Sequence, residues 1–89
     1  GPLAHDRLVS WPWFVVERLY GDGGLRWRLP SSLVALTAVA GRGVLAFGGR
    51  EVVIRCGQSL VIPACLSELE VIGQRVELIA TYAPVSDQA

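Results

Sequence analysis

Few side chains in this 89-residue sequence are of the types that do chemistry, and where they fall along the chain says more than their number. Trp27 sits between two arginines, Arg26 and Arg28. An indole face can stack on a sugar ring, and a pair of guanidinium groups can hold a phosphate. The alternation Leu25-Arg26-Trp27-Arg28-Leu29 supplies a second reading for each. On a strand it turns Trp27 inward with the leucines as core filling and turns both arginines outward, to solvent or to a neighbouring domain. Glu68 is a lone acid, either at the mouth of a barrel or on a solvated loop. A transition-metal site needs several imidazole or carboxylate donors converging, and the one histidine, His5, lies close to the N-terminus. No metal and no other cofactor is therefore expected. Cys56 and Cys65 form neither a CxxC pair nor part of a ligand cluster. They are expected as free, largely buried thiols in a reducing, cytoplasmic compartment.

The elements that would position these residues are short strands. Trp13 to Tyr20 is a strand candidate after a lead-in over Leu8 to Pro12, with Phe14, Val16 and Tyr20 on one face. Gly21-Asp22-Gly23-Gly24 is a turn signal, Leu25 to Leu29 the next strand, and Pro30-Ser31-Ser32 a break. Leu33 to Ala40 is apolar except for Thr37; its length, its lack of caps and the glycines that follow favour a buried strand over a helix. Val44 to Phe47 and Glu51 to Ile54 flank a Gly48-Gly49-Arg50 hairpin. Leu60 to Ile62 and Glu68 to Ile72 follow. Arg75 to Tyr82 closes the set, with Val76, Leu78, Ala80 and Tyr82 on one face. About eight short strands and no major helix predict an all-β protein, a small antiparallel jelly-roll barrel, in which Leu60, Ile62, Leu78 and Ala80 point inward.

Composition narrows the function classes. Hydrophobic residues make up 52% of the chain, too many for disorder, yet no run nears the roughly 18 residues of a membrane span. Eight arginines balance eight acids, so no electrostatic footprint for nucleic acid is present. There is no methionine, and Gly1-Pro2 reads as a protease scar. The expected organisation is a scar and flexible lead-in over residues 1–7, a barrel over 8–84 and a disordered tail over 85–89.

The stretch Gly57-Gln58-Ser59-Leu60-Val61-Ile62-Pro63 resembles the start of the second cupin motif, a glycine, five residues and a proline. That motif runs on to a metal-binding histidine, and Glu68 stands at its position; Cys65 replaces a following glycine and Ile72 an asparagine. Laid on the first motif, Gly21 and Gly41 fall on its two glycines, and its three ligand positions hold Trp27, Leu29 and Val34. The run from Gly57, together with Leu69 to Gly73 and Leu78 to Pro84, resembles the end of class I mannose-6-phosphate isomerases, and Leu8 to Arg18 resembles the start of that family's C-terminal cupin. In that family the zinc and the catalytic residues lie in the preceding domain.

The resemblance implies an accessory cupin of a mannose-6-phosphate isomerase-like protein, without metal and inactive on its own. The competing reading is a free-standing module that binds a sugar or other small molecule without metal. Trp27, Glu68, Arg26 and Arg28 are the weak ligand-binding candidates, and no catalytic residue carries over. Trp11 and Trp13, which flank Pro12, either cover a strand edge or mark a surface for a partner. The expected partner is a second copy in a homodimer, or a neighbouring catalytic cupin domain; no nucleic acid and no membrane are expected.

Overall fold

The computed structural model describes residues 2–84. Six strands account for the order along the chain: β1 (Ala4–Ser10), β2 (Val15–Arg28), β3 (Val34–Phe47), β4 (Arg50–Arg55), β5 (Ser59–Ile62) and β6 (Glu68–Tyr82). All pairings between them are antiparallel, with neighbours in the order β1-β2-β6-β3-β4 and β5 also on β3. Among the described residues there is no helix, and hence none long and apolar enough to cross a membrane.

The eight segments read from sequence are present, but six of them are halves of long strands. Trp13–Tyr20 joins Leu25–Leu29 in β2, Leu33–Ala40 joins Val44–Phe47 in β3, and Glu68–Ile72 joins Arg75–Tyr82 in β6. The expected turn at Gly21–Gly24 is a bend within β2, where the register to β6 shifts between Gly21 and Gly23. The three long strands bend side by side. Their first and second halves therefore belong to two facing layers, the jelly-roll solution to burying one face of each sheet. In one layer lie β1, the first half of β2, the second half of β6, the first half of β3 and β5. In the other lie the second half of β2, the first half of β6, the second half of β3 and β4.

The bend explains two backbone choices. Gly41 has φ +68, and a Cβ there would lie 2.0 Å from the carbonyl oxygen of Arg75 on the adjacent strand, so no larger residue fits. Arg75 itself has φ +47, the one non-glycine positive φ among the described residues, and its N–H donates to Asp22 Oδ1 at 2.8 Å. One carboxylate thus ties the bend of β6 to that of β2. The Gly48–Gly49 hairpin forms as expected, both residues at positive φ as a two-residue turn requires. Gly57 turns the chain from β4 in one layer to β5 in the other, and Pro63 follows the last residue of β5.

The core lies between the layers. Leu19, Leu36, Leu78 and Val34 from one layer meet Leu45, Ile54, Leu69 and Val71 from the other, all fully buried. Ile62, Leu78 and Ala80 are buried as expected, and Leu60 packs against the core. Phe14, Val16 and Tyr20 share one face of the first half of β2 as expected; it is the outer one, and Val15, Glu17 and Leu19 face the core. Three expectations need correction. The β3 run is covered on one face only, leaving Leu33 and Val39 exposed. Cys56 and Cys65 are free but exposed, because each sits in a turn beside β5 rather than on a strand. Ala4–Arg7, placed in a flexible lead-in, form the first part of β1. The expected tail over residues 85–89 lies outside the described residues.

Candidate functional site

Putting odd-numbered residues of β2 inward buries a carboxylate. Glu17, 4% exposed, is the one charged residue in the core among the described residues. The pairing of its neighbours dictates its company. Arg7 of β1 lies directly across from Glu17, His5 lies one inward position further along, and Tyr82 on the other side belongs to β6. The result is a four-residue hydrogen-bonded cluster at one end of the space between the layers. His5 Nε2 meets Glu17 Oε1, and since a carboxylate has no proton to give, the imidazole is the donor. The Tyr82 hydroxyl donates to Glu17 Oε2. Arg7 Nη2 donates to that same oxygen at 3.2 Å and to the Tyr82 hydroxyl at 3.3 Å.

This arrangement sets the charge states. Burial pushes the Glu17 carboxyl up, but the hydrogen bonds from Tyr82, His5 and Arg7 and the charge of His5 outweigh it, and the group ends below its ordinary value. Burial and the bond to Glu17 hold the Tyr82 hydroxyl above its ordinary value. Glu17 is thus a carboxylate oriented from three sides.

Trp27 completes the site. It is buried on the second half of β2, across the bend from Glu17, and its indole meets the His5 ring edge-on at a centroid distance of 6.0 Å. A pocket of about 360 Å³ opens here, lined by His5, Arg7, Glu17, Trp27, Arg28, Leu29, Pro30 and Tyr82. Of the candidates read from sequence, Trp27 and Arg28 line it. Arg26 and Glu68 stand apart as an exposed ion pair 3.5 Å long. A separate hollow of about 180 Å³ near β5 has a wholly apolar lining, including Phe47, Leu60 and Leu69, and so offers no polar side chain to orient a ligand. Sequence reasoning missed His5, Arg7, Glu17 and Tyr82 as a group. One signal was available: Tyr82 was expected to face inward, and a buried tyrosine hydroxyl usually finds a partner.

The residues present do not fit a metal. Trp27, Leu29 and Val34, at three of the motif's ligand positions, are buried apolar side chains, and Glu68, at the fourth, is engaged with Arg26. Among the described residues no three His, Cys, Asp or Glu side chains converge. At the Glu17 cluster the guanidinium of Arg7 already supplies the positive charge that a cation would bring.

A bent six-strand antiparallel jelly roll with this interior defines a class, the cupin fold, and solved structures agree. The chain superposes on an RmlC-like cupin protein from Desulfovibrio desulfuricans with a TM-score of 0.78 at 14% identity, over 94% of this chain and 85% of that one. The mannose 6-phosphate isomerase from Bacillus subtilis gives 0.78 at 16% identity, over 91% of this chain but only 26% of that one. The EutQ protein of Clostridium difficile gives 0.76 at 15% identity, over 92% and 68%. No protein-family model and no curated protein matches the sequence.

Proposed function

We propose that this chain is a metal-independent cupin module that binds a small hydroxylated ligand, a sugar or polyol, at the Glu17 cluster and does not turn it over. The observation that carries the reading is the buried, ionised Glu17. A core is not stabilised by a buried ion pair relative to a well-packed apolar residue of similar size, so a carboxylate placed there is better accounted for by use than by stability. Glu17 Oε1 keeps a lone pair free to accept from a ligand hydroxyl, Arg7 Nη1 and Nε remain to donate, and Trp27 and Arg28 border the same pocket.

The test is binding by calorimetry to a panel of monosaccharides, polyols and their phosphates, on the parent chain and on Glu17→Leu. The expected result is saturable binding to at least one member, lost in the variant, while the variant still unfolds in a single cooperative transition. Binding that survives the substitution, or none across the panel, overturns the reading.

A second reading rests on a different observation, that the chain corresponds to about a quarter of the Bacillus subtilis isomerase. On that reading it is an accessory domain of a larger isomerase-like protein, structural in role. A coupled assay on mannose 6-phosphate with the isolated chain then gives no turnover.

A further inference from the structure

We propose that the outer face of the layer containing β1 and β5 is a self-association surface, on which the same face of a second copy of this chain docks. The registers define that face. Val9 pairs with Val16, Val16 with Thr81, Thr81 with Ala35 and Ala35 with Val61, so one uncharged row crosses all five strands. These positions alternate with the inward ones and lie opposite the core. The face continues past the row at one end. Phe14, two residues before Val16, and Leu33, two before Ala35, are both exposed there. Trp11 stacks on Phe14 with the rings 9° from parallel, and Trp13 stacks on Trp11. Trp13 is 72% exposed. A strand whose outward side chains are Leu33, Ala35, Thr37 and Val39 reads as one covered on both faces, and in this chain only one is covered.

Size and charge select the occupant. Five strands at about 4.8 Å spacing, four presenting about six residues at about 3.3 Å and β5 presenting four, make a surface of roughly 24 by 20 Å, narrower at β5. Its plan area of about 440 Å², with the exposed Trp11 and Trp13 rings beyond its end, approaches the roughly 600 Å² per partner at the lower end of stable interfaces. A docked helix, about 10 Å across, would cover less than half of it, whereas a second sheet of the same dimensions covers it all. The charged residues nearest the row are Asp6 and Arg18, paired across β1 and β2, and Arg18 also lies 3.0 Å from Glu77, so no single-sign charge opposes self-pairing. A two-fold axis along β6 lays β2 of one copy over β3 of the other. Phe14 then meets Leu33, Val16 meets Ala35, Val9 meets Val61, and Thr81 meets itself at the centre. Uncharged side chains thus oppose one another in an isologous contact, with aromatic anchors of the kind that dominate interface energetics.

The experiment is light scattering and sedimentation of the 9.6 kDa chain across a concentration series, with reductant present because both cysteines are exposed. Thr81→Arg and Val61→Glu are the variants; both positions are exposed, so the barrel itself is kept. The expected result is a dimer at tens of micromolar, at least tenfold weaker in each variant. The parent's thermal midpoint is expected to fall on dilution while the variants' midpoints do not. A parent that stays monomeric at millimolar concentration overturns the proposal and leaves the face to another domain. A dimer unaffected by either variant also overturns it and points to pairing through a strand edge.

Discussion

Glu17 is held as a carboxylate by three donors, and the consequence is a defined dependence of stability on pH. Its folded value lies below the ordinary one, so its contribution is present above about pH 4.3 and is lost as pH falls through the depressed value. Tyr82 works in the opposite sense. Its folded value is raised, so its contribution is present below about pH 10 and is lost as pH rises beyond that. Thermal midpoints measured across pH are expected to form a plateau between about 5 and 10. Glu17→Leu should make the acid limb shallower, and Tyr82→Phe the alkaline limb. Unchanged limbs in both variants would show that the cluster does not titrate with folding. This cluster was the least legible feature of the chain. The alternation in Leu25 to Leu29 marked Trp27 as inward because its neighbours are charged. Around Glu17 the pattern Phe14-Val15-Val16-Glu17-Arg18-Leu19 is apolar in both registers, and the register that buries no acid is the natural choice from sequence. Tertiary pairing with Arg7 and Tyr82 reverses it, since only then does the buried carboxylate find donors.

The strands themselves were legible, because period-two alternation and glycine punctuation are local signals. What they could not show is continuity. Glycines that normally end a strand here bend β2, β3 and β6 at one common level, and that depends on which strands lie side by side. Gly41 carries the sharpest test. An alanine at Gly48, in the hairpin, keeps open space around its Cβ and bears only the conformational cost of φ +54, about 1 kcal/mol. At Gly41 the same change adds a collision with the Arg75 carbonyl, which belongs to the backbone and cannot swing away. Gly41→Ala is therefore expected to cost about 3 kcal/mol or more, read as a fall in the denaturant midpoint. If Gly41→Ala and Gly48→Ala lose the same amount, β3 and β6 do not approach as closely at the bend as described.

At the scale of the molecule, the last strand in sequence is the central one in space. β6 pairs along its length with β2 on one side and β3 on the other, and Leu69, Val71 and Leu78 on it are fully buried. Glu17 and Tyr82, which share the site, are 65 residues apart in sequence. Neither layer exists without β6. What would remain is β1 on β2, and β3 with β4 and β5, pieces too small to bury an apolar face in water. A fragment ending at Ser67 is therefore expected to lack a cooperative unfolding transition and a near-ultraviolet dichroism signal from Trp27. A synthetic peptide covering residues 68–84 should restore both in one-to-one ratio, at a rate that rises with peptide concentration. Restoration also returns Tyr82 to Glu17, so any ligand found for the intact chain should bind the reassembled pair and not the fragment. A cooperative transition in the fragment alone would mean that the first five strands form their own core and that β6 merely adds to it.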